Sequence, residues 1–107
     1  MPKPIIVEEA QFKSAVIDSA LPVMVEFSAP WCGPCKMLDP LLEQLAAEWN
    51  GRVGYVKVNV DNSAQLVAHY QVMSVPTVFL FKGGQPLERL SGYQPKDKIT
   101  AKFQPHI

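Results

Sequence analysis

What this sequence has little of narrows its class. It contains only two cysteines in 107 residues, so disulfides cannot hold the fold together as they do in small secreted scaffolds. Ten basic residues balance ten acidic ones, which leaves no charge excess to attract nucleic acid or an anionic membrane surface. No apolar run approaches the roughly 20 residues that cross a bilayer. We therefore expect a protein that binds neither nucleic acid nor membrane.

The N-terminal residues also lack the apolar core of a signal peptide, so we expect the protein in the cytoplasm. Its length is too small for two domains, but hydrophobic residues make up 48% of the chain, enough to build a core. There is no repeat, linker or low-complexity segment. We expect one domain over residues 1–107 and a monomer.

The apolar patterns predict alternating strands and helices. The predicted strands cover residues 5–7, 23–27, 53–60, 77–81 and 87–90, and the predicted helices cover residues 8–20, 37–49, 66–70 and 95–103. Pro40 should kink the second helix. Such alternation is typical of an α/β fold with helices on both faces of a central mixed sheet. We expect that sheet to be mostly parallel, with a C-terminal antiparallel hairpin.

Both cysteines lie in the segment Trp31-Cys32-Gly33-Pro34-Cys35-Lys36, between a predicted strand and a predicted helix. A C-x-x-C motif beside a βαβ pattern predicts thiol–disulfide exchange. Free N–H groups and the helix dipole favour a thiolate here, and Lys36 adds positive charge. We expect Cys32, nearer the helix start and the surface, to attack a disulfide. The deeper Cys35 should then resolve the mixed disulfide.

Other interpretations of the cysteines are weaker. A zinc site usually needs four ligands, and His69 and His106 do not form a second pair at metal spacing, so we predict no metal. An inert structural disulfide is uncommon in intracellular proteins. Gly33 permits a close approach of the two sulfurs, and Pro34 suits a first helical turn because no N–H bond is lost there.

The hexapeptide resembles the active-site sequence of the thioredoxin family, and the resemblance extends over essentially the whole chain. It includes Phe27, Pro40, residues 57–61, 75–77 and 81–84, and Gly92. It implies a reductant of protein disulfides that works through a redox-active Cys32–Cys35 disulfide and binds no other cofactor. A thioredoxin reductase, supplied by NADPH or ferredoxin, would restore the dithiol.

The same resemblance implies a cis peptide between Val75 and Pro76, lying against the cysteines. It also implies a shallow groove that receives the substrate backbone. The residues expected to bind substrate are Trp31, Gly33, Pro34, Met73, Val75, Pro76 and Gly92.

The chain departs from the family pattern at two positions. Glu26 stands where the family usually has a buried aspartate, and we predict a buried carboxyl of raised pKa that carries the proton of Cys35. The alternative is a solvent-facing glutamate. Lys57 is predicted to pair with Glu26, the alternative being a solvated lysine. Ser28 replaces a common tryptophan, which should leave the floor of the site less apolar and less tightly packed.

Three functions follow. The first is a dithiol–disulfide oxidoreductase acting on proteins. The second is an interaction module in which the thiols are secondary, and the third is an oxidase or isomerase that uses the same chemistry. The Gly33-Pro34 pair resembles reducing members of the family more than isomerases.

Overall fold

A computed structural model of the chain describes residues 3–107 and contains one five-stranded sheet. Its strands are β1 (Ile5–Ile6), β2 (Val23–Ser28), β3 (Gly54–Asn59), β4 (Thr77–Lys82) and β5 (Gln85–Ser91). The α-helices are α1 (Gly33–Glu48), α2 (Ala64–His69) and α3 (Lys96–Phe103). The predicted order of strands and helices is confirmed. Within the described part of the chain, no helix is both long enough and apolar enough to cross a membrane.

The strands lie in the order β1-β3-β2-β4-β5, and their directions differ from the prediction in one respect. β1, β3 and β2 are parallel, but β4 runs antiparallel to β2, and β5 runs antiparallel to β4. The sheet is thus evenly mixed rather than mostly parallel. Residues 60–76 connect β3 to β4 and bring the chain back to the edge of the sheet where β3 ends, so β4 begins there and runs in the opposite direction.

The first predicted helix is not an α-helix. A 3₁₀ turn at Glu9–Gln11 leads into a π-helix at Lys13–Ile17. The wider turn coincides with an ion pair between Lys13 Nζ and Asp18 Oδ2 at 2.9 Å, a spacing of five residues. Ala20, predicted to belong to this helix, lies beyond it and is exposed, because the chain turns away after Asp18.

The core lies on both faces of the sheet. One cluster joins the sheet to α1 and α3, and the other joins it to the N-terminal segment and α2. All six residues of β2 are buried because β2 is covered on both faces, as its continuous apolar run predicts. Met37, the first residue of the predicted second helix, is 63% exposed. The buried face of α1 consists of Cys35, Leu38, Leu42, Leu45 and Ala46.

The edge of the sheet where β2 and β3 end carries the features that matter for function. α1 begins there, directly after β2, and β4 starts there after Pro76. α1 continues through Pro40 as one element, and the kink expected at this residue stays a prediction. Both the cysteines and the residue that precedes β4 therefore lie at the same edge.

Candidate active site

Cys32 and Cys35 form a disulfide at the start of α1, with their Cα atoms 5.3 Å apart. Cys32 has an extended backbone and is the N-cap of the helix. Its Sγ accepts a hydrogen bond from the backbone N–H of Cys35 at 3.1 Å. Pro34 occupies the first turn, where its missing N–H removes no helical hydrogen bond. One of the free N–H groups at this helix end is therefore directed at the sulfur of Cys32.

Burial does not distinguish the two sulfurs as expected. Cys32 is 3% exposed and Cys35 is 1% exposed, so the prediction that Cys32 lies at the surface is wrong. The disulfide is covered because Ala29 and the partly buried Val60 and Val75 pack against it. The difference between the two cysteines lies in the helix geometry, because Cys32 is the N-cap and Cys35 is inside the first turn.

Some of the residues expected to bind substrate lie beside this disulfide. The peptide between Val75 and Pro76 is cis, as the family resemblance implies. The carbonyl of Pro76 accepts a hydrogen bond of 2.7 Å from the N–H of Gly92, which ties the end of β5 to the start of β4. Gly92 has a φ of +77°, a conformation that glycine adopts without strain. Val75 packs against the disulfide.

Large apolar side chains at this edge are exposed. Trp31 is 68% exposed and Met73 is 88% exposed, while Gly33 and Pro34 are exposed at the helix start. The indole Nε1 of Trp31 donates to Asp61 Oδ2 at 3.0 Å, which holds the ring beside the site. This contact was not predicted, because residues 30 positions apart give no local signal in the sequence.

Behind the disulfide, Glu26 is fully buried, which confirms that part of the prediction. Its Oε1 accepts a hydrogen bond from the hydroxyl of Tyr55 at 3.1 Å and lies 4.0 Å from Lys57 Nζ. The pKa of Glu26 is raised to about 8, mainly because the carboxyl is buried and further because the Asp39 carboxyl lies close by. The charge of Lys57 and the Tyr55 hydroxyl lower the pKa by less than these effects raise it.

The predicted proximity of Lys57 and Glu26 is confirmed, but Lys57 has a nearer partner. Its Nζ lies 2.7 Å from Asp39 Oδ2. Asp39 follows Cys35 by four residues on α1, so the two side chains lie on one side of the helix. The four-residue spacing between Cys35 and Asp39 is the sequence signal that identifies Asp39 as a neighbour of the site.

A cavity of about 250 Å³ lies beside the disulfide and beside this cluster of charges. Cys35, Asp39 and Lys57 line it, together with the buried Ser28. The looser floor predicted from Ser28 agrees with this cavity, because a serine leaves space that a tryptophan would fill. The complete lining is Ile6, Ser28, Ala29, Pro30, Cys35, Lys36, Asp39, Lys57 and Asn59.

The two histidines lie in other surroundings. The His69 ring packs edge-on against Tyr70 with 4.6 Å between the ring centroids. His106 Nε2 lies 2.8 Å from Glu88 Oε2. Within residues 3–107, no three His, Cys, Asp or Glu side chains gather in a way that could hold a metal ion.

Comparison with known proteins agrees with this site. The sequence model of the family described as Thioredoxin matches residues 3–105. Thioredoxin 1 from a Nostoc species is 40% identical over 101 residues, which cover 94% of this chain and 94% of that protein. Thioredoxin from Staphylococcus aureus is 43% identical over 101 residues, covering 94% of this chain and 95% of that protein. With its Cys32–Cys35 disulfide, the chain is a thiol–disulfide oxidoreductase, and it belongs to the thioredoxin family.

Proposed function

We propose that this one-domain chain works as a monomer in the cytoplasm and reduces disulfides in other proteins. A thioredoxin reductase, drawing electrons from NADPH or ferredoxin, returns it to the dithiol. The observation that carries this proposal is the hydrogen bond from the N–H of Cys35 to Cys32 Sγ. A backbone N–H directed at a sulfur stabilises the thiolate, which is the reactive form of cysteine.

In the first step, the Cys32 thiolate attacks one sulfur of the substrate disulfide. A bond forms between Cys32 Sγ and that sulfur, and the substrate's other sulfur leaves as a thiolate that takes up a proton. The exposed Gly33 and Pro34 leave this end of the helix open to the substrate. Trp31, Met73, Val75, Pro76 and Gly92 are proposed to bind the substrate chain around the reacting sulfurs.

In the second step, Cys35 loses its proton and attacks Cys32 Sγ. The bond between Cys32 and the substrate breaks, and the Cys32–Cys35 disulfide forms. The two protein thiols are oxidised by two electrons, and the substrate disulfide is reduced to two thiols. Glu26 is proposed as the carrier of the Cys35 proton, because its raised pKa allows it to gain and lose a proton near neutral pH.

Two variants, Cys32→Ser and Cys35→Ser, test the order of attack and serve as controls for each other. In reduction of insulin by dithiothreitol, each variant should fall to the rate of dithiothreitol alone. Only Cys35→Ser should accumulate a mixed disulfide with substrate, seen as a mass increase that thiols reverse. Unchanged insulin reduction by Cys32→Ser would instead indicate an interaction module, and accumulation in Cys32→Ser would reverse the assigned roles.

The direction of the reaction has its own test. The purified protein is equilibrated with glutathione buffers of defined ratio, and the fraction with the Cys32–Cys35 disulfide is measured. A reductant should stay largely oxidised in buffers in which glutathione itself is mostly reduced, because its potential is the lower of the two. A potential above that of glutathione would favour the oxidase or isomerase interpretation.

A further inference from the structure

The buried charges behind the disulfide contain an unexplained feature. Two buried side-chain oxygens among residues 3–107 have no hydrogen-bond partner, and these are Glu26 Oε2 and Asp39 Oδ1. In each carboxyl group the other oxygen is occupied, by the Tyr55 hydroxyl in Glu26 and by Lys57 Nζ in Asp39. One proton held between the two groups would give both remaining oxygens a partner.

We propose that Asp39 is a positioning residue for proton transfer, whose carboxylate shares a proton with Glu26 and connects Glu26 to the cavity beside Cys35. This inference rests on the proposed function, in which Glu26 carries the proton of Cys35. The inference adds the carboxyl group of Asp39 to the proton-transfer site. Glu26 and Asp39 then share one proton as a pair, rather than Glu26 binding it alone.

The positions of the three residues support this connection. Glu26 is fully buried and does not line the cavity, whereas Cys35 and Asp39 both do. The side chain of Asp39 is 23% exposed, so it can exchange protons with solvent. A proton that leaves Cys35 thus reaches the pair through the cavity and through Asp39. Polar side chains, including those of Asp39 and Lys57, line the cavity, which is large enough to admit water.

Other groups around Glu26 define the charge of the pair. β4 places the uncharged Val78 opposite Glu26 in the sheet, so the ionisable neighbours come from β3 and α1. The ionisable groups that act on Glu26 are Tyr55 and Lys57 on β3 and Asp39 on α1. Cys35 and Lys36 line the adjacent cavity, and Glu43 acts on Tyr55. Lys57 balances one negative charge, so the pair with one proton and Lys57 are neutral together, and loss of that proton leaves one excess charge.

The proton balance of the second step follows from this arrangement. The pair first releases its proton to solvent through Asp39 and the cavity, and both carboxylates are then ionised. The pair accepts the thiol proton of Cys35, and the resulting thiolate forms the bond to Cys32 Sγ as the bond to substrate breaks. The resolving rate should rise with pH until the pair is fully ionised, around the Glu26 pKa of about 8.

Asp39→Asn tests the inference because it removes the negative charge that favours the proton on Glu26. The Glu26 side-chain carboxyl is titrated by ¹³C NMR, and the single-turnover rate of disulfide reduction is measured from pH 5 to pH 10. Both inflections should move down by at least about one pH unit, because a nearby negative charge no longer opposes ionisation. Asp39→Glu, which restores a carboxyl, should recover most of the shift.

The exposed Asp97 provides the matched control, and Asp97→Asn should leave both inflections unmoved. A merely structural role of Asp39 would lower the melting temperature and leave both inflections where they are in the unmodified protein, and this result would overturn the inference. Glu26→Gln distinguishes a failure of the proposed role of Glu26 from a failure of the proposed role of Asp39. If the inflection near pH 8 survives Glu26→Gln, the proposed function of Glu26 fails. If Glu26→Gln removes it and Asp39→Asn does not shift it, only the role of Asp39 fails.

Discussion

Cys35 and Asp39 lie about one turn of α1 apart, yet the disulfide and the carboxyl groups of Glu26 and Asp39 are stabilised in different ways. Cys32 interacts with a backbone N–H only three residues away, at a helix end that the local sequence creates. Glu26 and Asp39 come from different elements and depend on burial, on Tyr55 and on Lys57. Local chemistry therefore controls the nucleophile, and long-range packing controls the acid behind it.

We expect ionisation of the buried Glu26, unlike the disulfide site, to make the free energy of unfolding depend on pH. The pKa of Glu26 is about 8 in the folded chain and 4.5 in an ordinary environment, so the folded state holds this proton more tightly. Its contribution to stability is full below about pH 4.5 and is lost as the pH rises through 8. From pH 5 to pH 9 the unmodified protein should lose roughly 3–5 kcal/mol more of its unfolding free energy than Glu26→Gln.

Urea denaturation at a series of pH values measures this difference. The disulfide is kept oxidised throughout, so that the thiols do not titrate. Comparing the two proteins cancels the titration of groups common to both. If the unfolding free energies of the two proteins changed in parallel with pH, ionisation of Glu26 would not destabilise the fold. The carboxyl groups would then not differ from the disulfide site in their effect on stability.

Lys57→Met removes a positive charge near Glu26, whereas Asp39→Asn removes a negative one. The charge of Lys57 lowers the pKa of Glu26, so its removal should raise that pKa above about 8 by about one pH unit. The ¹³C titration of the Glu26 carboxyl measures the shift. Lys98→Met, at an exposed position of α3, is the control and should give the unmodified titration. A downward shift for Lys57→Met would contradict the charge arrangement described for the pair.

Trp31→Ala should give the smallest effect and leave the acid untouched. The exposed ring is held by Asp61 beside the disulfide, and its loss should raise KM for insulin several-fold, equivalent to about 1 kcal/mol of contact. The pH inflection assigned to Glu26 should not move. Tyr93→Ala, at another exposed aromatic, is a comparison variant. A change in the Glu26 titration of Trp31→Ala would show that the groove and the acid are coupled.

Local patterns were sufficient for most of the fold and for the thiol site. The C-x-x-C motif, Pro34 and the apolar run before them predict a cysteine at a helix N-terminus, because each depends on neighbours in sequence. The same holds for α3, whose buried residues Ile99 and Phe103 are four positions apart. The direction of β4 and the π-helix at Lys13–Ile17 were not predicted, since strand pairing and backbone hydrogen bonding decide them and local apolar patterns do not.

By itself, the sequence determined the family, the order of the elements and the place of the redox disulfide, because motif spacing and apolar periodicity are local properties. Only the tertiary structure decided that Tyr55 contacts the buried Glu26, that Lys57 is nearer to Asp39 than to Glu26, and that both cysteines are covered. These facts depend on which side chains from separate elements meet away from water. Burial and charge at such contacts act through space, and local spacing along the chain does not determine them.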